Sequence, residues 1–134
     1  MAKQFTLGKN ERVKSRKRIE QLFSEGQRFT VSPYRIFYVL GEFSNSSLQF
    51  GVGVSTRNFK KAVDRNRIKR LTREGWRLQK KELKEILETS NKELSVFLIF
   101  TGKELPEYNF VKEKLTVILN KLLKLVDENS TPHT

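Results

Sequence analysis

Apolar residues recur at helical spacing near the start of the chain, which predicts a first helix there. Ile19, Leu22 and Phe23 fall on one side of this helix. Ser15 can cap its N-terminus, and Gly26 ends it.

Two longer stretches with the same spacing predict further helices. One covers about residues 60–88, with a break near residues 75–79. The other begins after Pro106 and Asn109. Its apolar stripe consists of Phe110, Leu115, Ile118, Leu119, Leu122 and Leu123.

Between the helices, the pattern changes to a period of two, which predicts strands. From Phe29 onwards the chain alternates, most regularly over residues 35–43 and, after a turn-like segment at 44–47, over residues 48–54. We therefore expect a meander of two or three strands. The continuous apolar run of residues 94–102 predicts a central strand buried on both faces.

The resulting element order is α-β-β-β-α-β-α, which predicts a single α+β domain. The chain has 134 residues, of which 37% are hydrophobic, enough for one core. We expect a flexible N-terminal segment at residues 1–9, the domain at residues 10–126 and a disordered tail at residues 127–134.

The charge distribution indicates a polyanionic partner. The formal net charge is +12. Residues 1–28 hold eight basic and three acidic groups, and residues 57–81 hold eleven and two. The rest of the chain is nearly neutral, so the positive charge is concentrated in two segments.

The segment 65–77, RNRIKRLTREGWR, predicts a helix with one apolar and one basic face. The apolar face groups Ile68, Leu71, Thr72, Gly75 and Trp76. The basic face groups Asn66, Lys69, Arg70, Arg73 and Arg77, flanked by Arg65 and Arg67. Successive turns are about 5.4 Å apart, which suits the phosphate spacing of a nucleic-acid strand, and arginine donates to phosphate through a planar fork.

Two other interpretations of this helix are open. An ordinary solvated face would need nearby acids, and residues 57–81 hold only Asp64 and Glu74. Residues 81–88, in contrast, show the alternating charges of such a face. A membrane-surface helix would need a wider apolar face. Nucleic-acid binding is the favoured interpretation.

The strand pattern predicts a trough next to this basic segment. We expect one face of the sheet to consist of Leu48, Phe50, Val52 and Val54 together with Phe37 and Val39. The opposite face would then show Gly51, Gly53 and Ser55 beside Tyr38, and Phe23 of the first helix could form a second wall. Small residues beside an aromatic ring leave room for an unpaired base to stack.

Side-chain catalysis is not expected. The chain has no cysteine, its one histidine is His133, and its two aspartates, Asp64 and Asp127, lie far apart in sequence. Metal ligands therefore stay unassigned. No run approaches the length of a membrane helix, and the first ten residues lack a secretory signal, so we expect a cytoplasmic protein.

One block carries a family resemblance. GVGVSTRNFKKAVDRNRIKRLTRE, residues 51–74, closely resembles the signature of the bacterial ribonuclease P protein component, centred on its Arg-Asn-Arg motif. Residues 14–26 look like the first helix of that family, and residues 94–103 and 106–125 look like its last strand and closing helix. The resemblance covers about residues 8–125, nearly the whole domain.

The resemblance implies a role for individual residues. The residues that would face the catalytic RNA are Arg65, Asn66, Arg67, Lys69, Arg70 and Arg73. The cations Arg57, Lys60 and Lys61 precede them and would extend the same surface. Phe23 and Tyr38 match aromatic positions that line a cleft for the 5′ leader of precursor tRNA. Ile19 stands where some members have another aromatic residue, and it can pack against a nucleotide.

The resemblance also implies a fold and a function. The fold is of the ribosomal protein S5 domain 2-like type, with a left-handed βαβ crossover. The function is that of an accessory subunit of an endoribonuclease: the protein binds a catalytic RNA and precursor tRNA, and the RNA removes the 5′ leader with Mg²⁺. Neither DNA nor a membrane is an expected partner. The alternatives are a ribosomal or general RNA-binding module and a protein nuclease.

Overall fold

A computed structural model describes residues 16–42 and 47–130 of the chain. Four helices and four strands follow one another in these ranges. They are α1 Arg16–Glu25, β1 Gln27–Val31, β2 Tyr34–Glu42, β3 Leu48–Val54, α2 Ala62–Gln79, α3 Lys81–Ser90, β4 Lys92–Phe100 and α4 Tyr108–Ser130.

The strands form one mixed sheet in the order β1-β2-β4-β3. β1 pairs with β2 and β2 with β4 in antiparallel orientation, whereas β3 and β4 are parallel. The predicted α+β class and the central position of β4 are therefore confirmed. The predicted meander holds for β1 and β2 but is wrong for β3, because β4 inserts between β2 and β3. The parallel pair is joined through α2 and α3, and the left hand of that crossover stays a prediction.

Each face of the sheet is covered differently. The larger core lies between one face and helices α2, α3 and α4, and it includes Tyr34, Phe50 and Trp76. A small cluster of Leu22, Phe37 and Phe97 lies on the opposite face, under α1. The sheet thus separates α1 from the other three helices.

Several boundaries differ from the sequence predictions. The break predicted near residues 75–79 falls at Lys80, because α2 ends at Gln79 and α3 begins at Lys81. The prediction of a disordered tail from residue 127 is wrong for residues 127–130, because helix α4 continues to Ser130. Phe110, placed on the apolar stripe of α4, is 41% exposed. Ser15, the segment 1–9 and residues 131–134 lie outside the described residues.

A close backbone approach fixes α1 on the sheet. The amide of Gly26 donates to the carbonyl of Leu22 at 3.1 Å, which closes the last turn. A Cβ atom at Gly26 would lie 2.5 Å from the Leu22 carbonyl oxygen and 2.9 Å from that of Tyr38. Only glycine fits there, so the predicted helix stop also sets the position of α1.

Candidate nucleic-acid interface

Helix α2 is anchored by one face, as its sequence predicts. Ile68, Thr72, Gly75 and Trp76 are buried. The Trp76 ring stacks on Phe50 of β3, with the ring centroids 4.2 Å apart. Because these four residues face the core, the opposite side of α2 faces the solvent.

A buried hydrogen-bond chain adds to this anchor. The Thr72 hydroxyl donates to the Ile68 carbonyl at 2.8 Å, and the Tyr34 hydroxyl lies 2.7 Å from Thr72 Oγ1. Since the single proton of Thr72 goes to Ile68, the Tyr34 hydroxyl is the donor to Thr72. Burial raises the pKa of Tyr34 to about 12.

The solvent side of α2 and the loop before it form a basic surface. Asn66, Arg67, Arg70 and Arg73 are exposed, and Lys69 is half-buried. Three cations of the preceding loop are exposed as well. We define the basic surface as these eight residues: Arg57, Lys60, Lys61, Asn66, Arg67, Lys69, Arg70 and Arg73.

Carboxylates leave most of the basic surface unneutralised. Glu74 pairs with Arg77, at the end of the predicted basic face. Within residues 16–42 and 47–130, no carboxylate forms an ion pair with Arg57, Lys60, Lys61, Arg67, Lys69 or Arg70. The positive charge of these side chains is therefore available to an anion.

Arg65, predicted to face RNA, contacts the backbone of its own chain. Its Nη1 donates to the carbonyl oxygens of Phe59 and Lys60, both at 2.8 Å, and the side chain is half-buried. Asn58 ties the same loop to the end of β4, because its Nδ2 lies 3.3 Å from the carbonyl oxygens of Thr101 and Gly102.

A second candidate surface lies on the other face of the sheet, beside α1. Leu22 is buried against Phe37 and Phe97, and Ile19 packs against the same cluster. Phe23 stays 41% exposed, with its ring centroid 4.9 Å from that of Phe37 and 5.5 Å from that of Phe97. Phe23 thus presents an aromatic ring that is held in place but still open to solvent.

Two small residues of the predicted trough, Gly51 and Gly53, lie on this face, beside Phe97 and not beside Tyr38. Gly51 pairs with Phe97 across the β3–β4 ladder, and Gly53 pairs with Ile99. A Cβ atom at Gly53 would lie 3.3 Å from the Phe97 ring. We use the name aromatic groove for Ile19, Phe23, Phe37 and Phe97 together with Gly51 and Gly53.

The assignment of Tyr38 to this groove is wrong. Tyr38 pairs with Val96, and Val96 pairs with Phe50, so these three side chains share the face of the larger core. The Tyr38 ring contacts Phe29, with centroids 5.9 Å apart, and partial burial raises the pKa of its hydroxyl. Phe37 occupies the position expected of Tyr38.

Two groove residues were missed from sequence. The sequence pattern places Phe37 on the core face with Phe50, and it identifies Phe97 only as part of a buried strand. The alternation within β2 does predict that Phe37 and Tyr38 lie on opposite faces of the strand. Which of its two faces meets α1, however, depends on β4 pairing between β2 and β3.

Neither a metal cluster nor a membrane span occurs in the described part of the chain. Within residues 16–42 and 47–130, no three histidine, aspartate or glutamate side chains come together in a way that could hold a metal ion. No helix in these ranges is long and apolar enough to cross a bilayer.

Comparisons with known proteins agree with the observed fold. A sequence model of the family described as Ribonuclease P matches residues 7–123. The ribonuclease P protein component of Porphyromonas gingivalis is 36% identical over 112 residues, which cover 83% of this chain and 82% of that protein. That of Chlorobium phaeobacteroides is 25% identical over 128 residues, which cover 87% of this chain and 88% of that protein.

The solved structure of the RNase P protein from Thermotoga maritima superposes with a TM-score of 0.63 at 23% identity, over 83% of this chain and 96% of that one. The chain therefore belongs to the family of bacterial ribonuclease P proteins.

Proposed function

We propose that the chain is the protein subunit of ribonuclease P and assists removal of the 5′ leader from precursor tRNA. One observation carries this proposal. The lysines and arginines of the basic surface lack carboxylate partners within the described residues, apart from Arg73, which has other contacts. Such a surface on a chain of net charge +12 suits a phosphate backbone.

In this proposal the basic surface binds the catalytic RNA. Arg67, Arg70 and Arg73 lie three residues apart along α2, so they follow one another around adjoining turns of the helix. Each guanidinium can donate two parallel hydrogen bonds to a phosphate. The loop cations Arg57, Lys60 and Lys61 extend the same charge towards the N-terminus of α2.

The aromatic groove would hold the single-stranded leader. An exposed ring that packs on two others offers a rigid platform for an unpaired base, and such stacking contributes about 1–3 kcal/mol per base. Phe23 supplies that ring, and Phe97, whose ring lies against Gly53, packs beside it. Ile19 can pack against a neighbouring nucleotide but cannot stack as an aromatic ring would.

The reacting groups in this proposal belong to the RNA. The family resemblance implies that the RNA binds the Mg²⁺ ions and performs the hydrolysis. The residues of this chain bind and orient: the basic surface binds the catalytic RNA, and the aromatic groove aligns the leader. The chain would act in the cytoplasm as one part of a ribonucleoprotein.

Reconstitution tests the proposal directly. The purified chain is mixed with its cognate catalytic RNA, and leader removal from precursor tRNA is followed at low Mg²⁺ concentration. We expect no cleavage by the protein alone and faster cleavage by the mixture than by the RNA alone. Cleavage by the protein without RNA would instead identify a protein nuclease.

A second measurement separates this function from general RNA binding. Precursor tRNA with a 5′ leader should bind the holoenzyme more tightly than tRNA without one, because the groove contributes to the first complex only. Equal affinity for both substrates, with stimulation also absent, would leave a ribosomal or general RNA-binding module as the better explanation.

A further inference from the structure

The first arginine of the Arg-Asn-Arg motif makes different contacts from the rest of the basic segment. Arg65 Nη1 donates to the carbonyl oxygens of both Phe59 and Lys60, each at 2.8 Å. We propose that Arg65 is a positioning residue, which fixes the loop carrying Arg57, Lys60 and Lys61 in its RNA-binding conformation. This inference rests on the proposed function and assigns one part of it to a single side chain.

The chemistry of the guanidinium suits this task. One Nη atom carries two N–H groups, so a single nitrogen can donate to two consecutive carbonyl groups. Lys61, which precedes α2, offers no side-chain cap to the helix. Arg65 comes from the first turn of that helix, and its two hydrogen bonds therefore join the loop to α2.

A second side chain fixes the loop from the other direction. Asn58 Nδ2 donates to the carbonyl oxygens of Thr101 and Gly102, and the Phe59 ring is buried, 6.1 Å from the centroid of Phe100. The loop is thus attached to α2 through Arg65 and to the end of β4 through Asn58. A loop that is ordered before binding loses less conformational entropy when it contacts RNA.

Arg70 provides the contrast within the same helix. It is exposed and forms no ion pair with a carboxylate in the described ranges. If Arg70 contacts phosphate directly, its removal lowers the salt dependence of binding. If Arg65 acts through the loop, its removal weakens binding while the loop cations still reach their phosphates, so the salt dependence stays the same.

The experiment compares Arg65→Met with Arg70→Met, in binding of the full chain to its catalytic RNA over a series of salt concentrations. We expect Arg65→Met to bind about tenfold more weakly, with an unchanged slope of log K against log salt. For Arg70→Met we expect the slope to fall by somewhat less than one. An equal fall in slope for both variants would assign Arg65 to direct phosphate contact and overturn the proposal.

A double-mutant cycle tests whether Arg65 acts through the loop. Arg65→Met is combined with the triple replacement of Arg57, Lys60 and Lys61 by alanine. We expect Arg65→Met to add little in that background, because the cations that it positions are gone. A full additional loss would show a general effect of Arg65 on folding or on RNA contact, and would also contradict the proposal.

Amide hydrogen exchange in the free protein gives a readout that does not depend on RNA. The Phe59 amide donates to the Ser55 carbonyl at 3.2 Å within the loop. In Arg65→Met this amide should exchange about tenfold faster, while core amides of β4 keep their rates. Unchanged exchange at Phe59 would overturn the proposal, and loss of protection in β4 would mean that the variant fails to fold.

Asn58→Ala tests the same loop if Arg65→Met fails to fold. It releases the same loop through a different contact and removes no charge. We expect the same pattern as for Arg65→Met, namely weaker binding with an unchanged salt slope and faster exchange at Phe59. Wild-type affinity for Asn58→Ala would contradict preorganisation of the loop. Failure of the wild-type protein to bind the RNA would instead contradict the proposed function.

Discussion

Phe37 and Tyr38 are neighbours in β2 but lie on opposite faces of the sheet. Phe37 packs against Leu22 and the ring of Phe23 under α1, whereas Tyr38 contacts Phe29 beside the larger core. A residue-scale test of the leader site should therefore separate these two faces. Phe23 and Tyr38 suit that comparison, because both are aromatic and neither is fully buried.

Phe23→Ala should weaken binding of leader-containing precursor tRNA to the holoenzyme. We expect a loss of about 1–3 kcal/mol, the usual contribution of one stacked base. The measurement is the affinity for precursor tRNA with and without its leader. Tyr38→Ala is the control and should leave the difference between the two substrates unchanged. The opposite result, with only Tyr38→Ala affecting leader binding, would place the leader on the other face.

Tyr34 should make the stability of the fold sensitive to alkaline pH. Burial raises the pKa of Tyr34 from 10.0 to about 12, so the unfolded chain loses this proton at lower pH than the folded one. The unfolded state binds fewer protons between those values, and this contribution to the free energy of unfolding therefore falls as the pH rises from 10.0 to about 12.

Tyr34→Phe isolates this contribution. At neutral pH the variant should be less stable by about 1 kcal/mol, because the hydrogen bond to Thr72 is lost. The difference from wild type should shrink, or change sign, as the pH rises above 10.0. Urea unfolding of both proteins over a pH series is the measurement. A difference that stays constant across the series would contradict the raised pKa.

At the scale of elements, the position of α1 depends on the backbone contact at Gly26. Gly26→Ala would place a Cβ atom 2.5 Å from the Leu22 carbonyl oxygen and 2.9 Å from that of Tyr38, so α1 or the sheet must shift. We expect a loss of about 1–3 kcal/mol in the free energy of unfolding, the usual effect of overpacking. Leader affinity should fall too, because α1 carries Phe23.

Gly41→Ala is the matched control for Gly26→Ala. A Cβ atom at Gly41 meets nothing within 4 Å, so we expect its stability to lie within about 0.5 kcal/mol of wild type. Urea unfolding of both variants measures the difference. Equal stability of Gly26→Ala and Gly41→Ala would mean that α1 adjusts without strain, and leader binding should then be unaffected as well.

The elements differ in how much of them is readable from the sequence. The two faces of α2 follow from helical periodicity, and the structure buries Ile68, Thr72 and Trp76 as that pattern predicts. The strands are also recognisable one by one. The order of the strands in the sheet cannot be predicted in the same way. β4 follows β3 only after two helices, and yet it pairs between β2 and β3. That non-local pairing decides which face of β2 meets α1.

At the scale of the whole molecule, the two candidate sites also differ in how far they can be predicted from the sequence. The basic surface could be predicted from the concentration of positive charge and the spacing along one helix, both of which are local. The aromatic groove could not be fully predicted, since Phe37 and Phe97 are brought together by strand pairing. The contacts of Arg65 could not be predicted either, because its partners are backbone carbonyl groups that any sequence has.

The sheet separates the aromatic groove from α2, and this arrangement predicts independent effects at the two surfaces. Phe23 belongs to α1 on one face, and Arg70 belongs to α2, which covers the other face. The ring of Phe23 contacts Phe37 and Phe97 on the face under α1. Mutational effects at such distant sites usually add within about 0.5 kcal/mol.

The double variant Phe23→Ala/Arg70→Ala should therefore show both single defects at their original size. For binding to the catalytic RNA, the slope of log K against log salt should fall by somewhat less than one, as it does for Arg70→Ala alone. With enough protein to saturate the RNA, leader-dependent affinity should match that of Phe23→Ala alone. Coupling above about 1 kcal/mol between the two replacements would mean that one RNA segment contacts both surfaces. In that case the separate assignment of catalytic RNA to α2 and leader to α1 would have to be abandoned.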